Sequence, residues 1–198
     1  MNKIQSKISK IGFMQGRLSP LIENKIQAFP WKNWKDEFSL ADSIGLRVME
    51  WTLDHERLYI NPIMTKEGRD AINTLISQFN ISIPSLTGDC FMQKPFWKYK
   101  GNKRNKLERD FLSITESCGH VGIKYIVVPL VDNGSIENPL QCDILLSFLE
   151  ENKKFFDLNK IQIVFESDFN PEDLKRFIDN FDPDIFGINY DIGNSAFL

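Results

Sequence analysis

Acidic side chains recur at one kind of position in this 198-residue chain, closing or directly following a short run rich in β-branched and aromatic residues. They are Glu50 in VMEW, Asp89 in SLTGD, Asp132 in VVPLVD, Glu166 in IVFE and Asp191 in NYD. Acids that face one cleft repel one another unless a cation lies between them, and oxygen donors suit Mn²⁺ or Mg²⁺, with Zn²⁺ an option if imidazole joins. Glu166 reads as a metal ligand or as a general base at a carbon next to a carbonyl; a Glu on a surface loop is the plain alternative. For Asp191 the alternative is an Asp-capped turn, and for Glu50, inside a strand, it is pairing with a Lys or Arg. Gln15 and Arg17 follow the first apolar run, where Arg17 could clamp a phosphate or carboxylate or simply face solvent. Trp51 and its aromatic neighbours could lie against the C–H face of a sugar, and core packing explains them equally well. His55 follows a strand end, His120 precedes one, and no Ser-His-Asp order or nucleophile elbow is present.

Positioning such side chains needs a scaffold, and its period is visible. Strands are expected at 11–15, 47–51, 81–86, 125–130, 161–165 and 187–190. Several, such as YIVVPL, are apolar on successive residues, the pattern of strands buried on both faces. Helical periods lie between them, at 33–44, 65–79, 106–118 and 139–156, with a further start at Asn170-Pro171, a cap followed by a proline at the first helical position. This alternation predicts βαβ units and a parallel sheet in a single domain over residues 1–198, with long connections at 19–32 and 88–106. The repeat is about 35 residues, that of a (β/α)₈ barrel, but six units fall short of the eight that fold needs. An open, doubly wound sheet fits the length better, yet neither dinucleotide nor P-loop glycine pattern is present, and polar residues after nearly every strand suit a barrel mouth.

Composition narrows the partners. With 24 Lys and Arg against 27 Asp and Glu the net charge is −3, so no overall basic field exists to hold nucleic acid. No apolar run approaches the roughly 20 residues of a membrane span, and the polar start MNKIQSKISK favours the cytoplasm. Cys90, Cys118 and Cys142 have neither disulfide nor zinc spacing and read as small buried fillers.

In GFMQGRLSP, VMEWTLD, IPSLTGDCF, VGIKYIVVPLVD, IVFESD and INYDIGNS, taken in order along the chain, the sequence resembles the sugar phosphate isomerase/epimerase family of xylose isomerase-like TIM barrels. The resemblance implies a divalent metal held by a Glu after strand five, an Asp after strand six, a His after strand seven and a Glu after strand eight. Glu166 and Asp191 match the first two, with Glu166 also exchanging the substrate proton, and Glu50 resembles an acid near the substrate. Gln15, Arg17, Trp51 and Asp89 complete the expected substrate-binding set, for a sugar or sugar phosphate. Members with QGRLSP and SLTGDCFMQ segments are associated with surface-polysaccharide sugars. Strands seven and eight have no counterpart here, so the expectation is a C-terminally truncated barrel of about six units, with open edges that allow a homo-oligomer. Two other readings are a non-catalytic remnant or binding module, and a metallo-phosphodiesterase like the apurinic endonucleases. Asn194, where those enzymes place a zinc-binding His, counts against the second.

Overall fold

The computed structural model describes residues 11–22 and 28–195, with side chains as far as Gly193. The opening MNKIQSKISK segment, part of the first long connection and the side chain of Asn194 lie outside the described residues. Six strands form one parallel sheet: β1 (Gly12–Met14), β2 (Val48–Thr52), β3 (Ser82–Thr87), β4 (Tyr125–Leu130), β5 (Gln162–Ser167) and β6 (Phe186–Ile188). Their spatial order is their order in the chain. A doubly wound sheet would reverse order at a switch point; with right-handed crossovers, an unreversed order keeps the helices on one face and curls the sheet, which is the wall of a (β/α) barrel. Among the described residues no further strand pairs with the outer edge of β1 or of β6.

Among the described residues seven α-helices connect and follow the strands: α1 (Asp36–Ile44), α2 (Lys66–Phe79), α3 (Asp89–Gln93), α4 (Gly101–His120), α5 (Pro139–Leu158), α6 (Pro171–Ile178) and the short α7 (Ile192–Ser195). Their starts are chemically marked. Thr65 Oγ1 accepts from Gly68 N at 3.1 Å, Asn138 Oδ1 from Gln141 N at 3.1 Å and Asn170 Oδ1 from Asp173 N at 2.9 Å, each satisfying an N–H that the first turn leaves over. Gly45, at φ +83°, closes α1 as its position predicts. Two elements differ from expectation: α3 lies inside the connection 88–106, and α4 begins five residues before Lys106.

The core lies between helices and sheet and is rich in phenylalanine. Phe165 of β5 meets Phe177 and Phe181 at ring-centroid distances of 5.0 and 5.1 Å, and Phe111 of α4 meets Phe91 and Phe148 at 4.4 and 5.4 Å. Ile126, Val128 and Leu130 of β4 are all buried, as a strand covered on both faces requires. Cys90 and Cys118 are buried and reduced, and Cys142 is half-buried. No helix among the described residues is long and apolar enough to cross a membrane.

Candidate functional site

The C-terminal ends of the strands open into one cleft of about 360 Å³. Five carboxylates line it: Glu50 from β2, Asp89 after β3, Asp132 after β4, Glu166 from β5 and Asp191 after β6. Each reaches it because parallel strands end at the same face, and because alternation within β2 and β5 sends Glu50 and Glu166 to the inner side. Met14, Val127 and Pro129 supply an apolar floor.

Register fixes the neighbours. Glu50 lies opposite Ser85, whose side chain hydrogen-bonds its carboxylate, and Glu166 lies opposite Pro129, which has no N–H to give the ladder. Asn189, just past β6, donates its Nδ2–H to Glu166 Oε2 at 3.0 Å and so fixes how that carboxylate is turned. Thr87 Oγ1 donates to Asp89 Oδ1 at 3.2 Å. Burial raises the Glu50 pKa above its ordinary value of 4.5; the Ser85 bond opposes this, and the charges of Glu166 and Asp89 add to it.

Of the expected residues, the structure brings Glu50, Asp89, Glu166 and Asp191 together. It places the other three elsewhere. Gln15, 1% exposed, ties β1 to β2: its Oε1 accepts from Thr52 N at 3.3 Å and its carbonyl from Thr52 Oγ1 at 2.9 Å. Trp51, adjacent to Glu50 and so facing the opposite way, is fully buried against Phe29 and Trp34, with Nε1 donating to Asn61 Oδ1 at 3.2 Å. Arg17 is exposed on the turn after β1 and does not line the cleft.

That turn has an anchor that the sequence does not advertise. Glu37 of α1 is completely buried, accepting the N–H of Gly16 at 2.9 Å on both oxygens and that of Leu18 at 3.0 Å. Gly16 sits at φ +95°, and a Cβ there would lie 2.7 Å from the Ala28 carbonyl oxygen, so glycine is required.

Gln93 and Asn189 are cleft residues that strand-end reasoning also leaves out. Gln93 is the last residue of α3: its Nε2 donates to Asp54 Oδ1 at 2.8 Å, and its Oε1 accepts from His55 N at 2.7 Å. His55 itself lines a separate, nearly filled crevice with Cys90 and Asp110.

As a metal centre the cleft is right in chemistry and short in number. Its acids are hard oxygen donors of the kind Mg²⁺ and Mn²⁺ take. Among the described residues, however, no three His, Cys, Asp or Glu form a group that could hold a metal ion.

No protein-family model matches the chain, and no curated protein does. Solved structures do. A xylose isomerase domain protein from Planctomyces limnophilus is 15% identical, with a TM-score of 0.66 over 94% of this chain and 64% of that one. A sugar phosphate isomerase/epimerase from Parabacteroides distasonis is 12% identical, with a TM-score of 0.65 over 94% and 66%. A xylose isomerase-like TIM barrel protein from Mycobacterium smegmatis, in complex with magnesium, is 15% identical, with a TM-score of 0.61 over 93% and 65%. The likeness is one of fold: the chain has part of a xylose isomerase-like TIM barrel. It spans less than two thirds of the length of these proteins.

Proposed function

We propose that the cleft binds a small sugar or sugar phosphate and that the protein belongs chemically with the isomerases and epimerases that move a proton at a carbon next to a carbonyl. The observation that carries this reading is the meeting of Glu166, Asp191, Glu50 and Asp89 in one cleft at the C-terminal ends of the strands. Glu166 is the acid/base. The Asn189 bond fixes its orientation in the cleft, where a carboxylate within reach of a substrate C–H can act as general base. Glu50, the cleft acid whose proton affinity burial raises, is placed to hydrogen-bond a substrate oxygen. Met14 and Val127 exclude water from the sugar's C–H side.

Glu166 and Asp191 would contribute two ligands to a divalent ion, Mn²⁺ or Mg²⁺ by their donor chemistry, and such an ion supplies charge stabilisation to a developing enediolate. Water and substrate oxygens would complete its coordination.

Titration of the protein with Mn²⁺ by calorimetry, followed by NMR of C–H exchange into keto sugars in deuterated water, tests the proposal. Saturable binding and metal-dependent exchange are expected, and Glu166→Gln abolishes both. A cooperatively folded chain that binds no divalent ion and exchanges no proton is instead a non-catalytic binding module. The shortage of grouped metal ligands among the described residues is the observation that favours that second reading.

A further inference from the structure

Positive charge is unevenly spread along this acidic chain. Seven of its 24 Lys and Arg fall within residues 94–109, against one acid there, Glu108. The stretch runs from the end of α3 into the first turns of α4, and so leaves the end of β3 where the cleft opens.

Three of these cations gather at one place. Lys94 lines the crevice that also contains His55 and Asp110. Lys106 approaches Asp110 Oδ2 at 3.5 Å and lies over the Tyr59 ring, 4.9 Å from its centroid. Lys103, three residues earlier and therefore on the same side of α4, lies 3.9 Å from the centroid of Tyr99. The rings hold two long side chains in place while all three lysines stay exposed. Their fields converge on His55: burial lowers its pKa, Asp110 raises it, and Lys106, Lys94 and Lys103 each lower it further. Asp110 is the carboxylate that acts on the imidazole in opposition to these lysines, and its Oδ1 is already taken by the Tyr59 hydroxyl at 2.8 Å.

The group adjoins the cleft. Gln93 lines the cleft and accepts the His55 N–H, so one side chain separates the two places.

We propose that Lys94, Lys103 and Lys106, gathered around His55 beside the acidic cleft, bind the phosphate group of a phosphorylated sugar. Three ammonium groups held near one another suit a dianion, and a neutral sugar offers them nothing. The sugar half of this assignment rests on the proposed function of the cleft; the anion half does not.

The test follows the imidazole signals of the two histidines by NMR while glucose 6-phosphate, inorganic phosphate or glucose is added to the full chain. Glucose 6-phosphate and phosphate are expected to shift the His55 signals saturably, the phosphorylated sugar at lower concentration, while His120, at the far end of α4, stays put. Glucose alone moves neither. Lys103→Ala with Lys106→Ala weakens anion binding by about tenfold or more, and the milder Lys94→Gln by about threefold, with unchanged far-UV circular dichroism. The proposal is overturned by the absence of a saturable shift, by variants that bind as tightly as the parent, or by a single-stranded oligonucleotide that binds more tightly than glucose 6-phosphate. Since the readout is binding, a chain that takes up phosphate yet exchanges no sugar proton refutes only the reading of the cleft. One that exchanges protons and ignores phosphate refutes only the anion site.

Discussion

Glu37 and Glu50 are both carboxylates withdrawn from water, and they differ in the company they keep. Glu37 is surrounded by donors, the N–H groups of Gly16 and Leu18. Glu50 has the Ser85 side chain and, beyond it, the charges of Glu166 and Asp89. Burial raises both pKa values above 4.5, but at Glu37 the neighbours pull against that rise and at Glu50 two of them push with it. A buried acid matched to backbone donors holds a turn in place. Acids gathered against one another store repulsion that a cation, a proton or a ligand can relieve, and that is how a site differs from a strut.

The sharpest way to break this contrast is to exchange the readouts. Glu166→Gln is expected to lower sugar proton exchange by about 10²–10⁴-fold while moving the urea midpoint by no more than about 0.5 kcal/mol equivalent. Glu37→Leu should act the other way round, losing about 2–4 kcal/mol in urea unfolding, because two half-buried backbone N–H groups lose their acceptor. If Glu37→Leu unfolds at the parent's urea concentration, the turn is held by something else. Glu50→Gln keeps a group able to bond Ser85 and removes one like charge, so at pH 7 stability should be unchanged or higher by up to about 1 kcal/mol, with weaker Mn²⁺ binding by calorimetry.

The smallest effect is in pH. Folded Glu37 and Glu50 hold protons in a window above 4.5 where the unfolded chain has released them, so their contribution to stability is present below that value and lost as pH rises through the raised pKa values. Urea midpoints measured from pH 4.5 upward should therefore fall for the parent relative to a Glu37→Leu, Glu50→Gln double variant. Parallel curves would mean that neither side chain is perturbed.

Much of this was legible in the sequence, and the illegible parts have physical causes. All six strands were found, with ends displaced by no more than two residues, because a β-branched run with no polar break has few other ways to fold. α3 was missed because DCFMQ is too short to display a period, and the start of α4 because GNKRN contains no apolar residue to mark a face. In the site, acids at strand ends could be assigned to a common rim from topology alone, and four of the expected residues line the cleft. Gln15 and Trp51 each follow a residue that faces the cleft, Met14 and Glu50, so alternation turns them away; a nearby position in the chain is not a shared face. Glu37 was invisible because only the fold brings the turn after β1 against α1, 21 residues on.

The unreversed strand order has a consequence for how the chain comes into being. Each strand bonds only to those made just before and just after it, so the sheet can be laid down in the direction of synthesis as the nascent chain leaves the ribosome. At every stage the growing margin is the newest strand, which makes translation itself the clock of assembly.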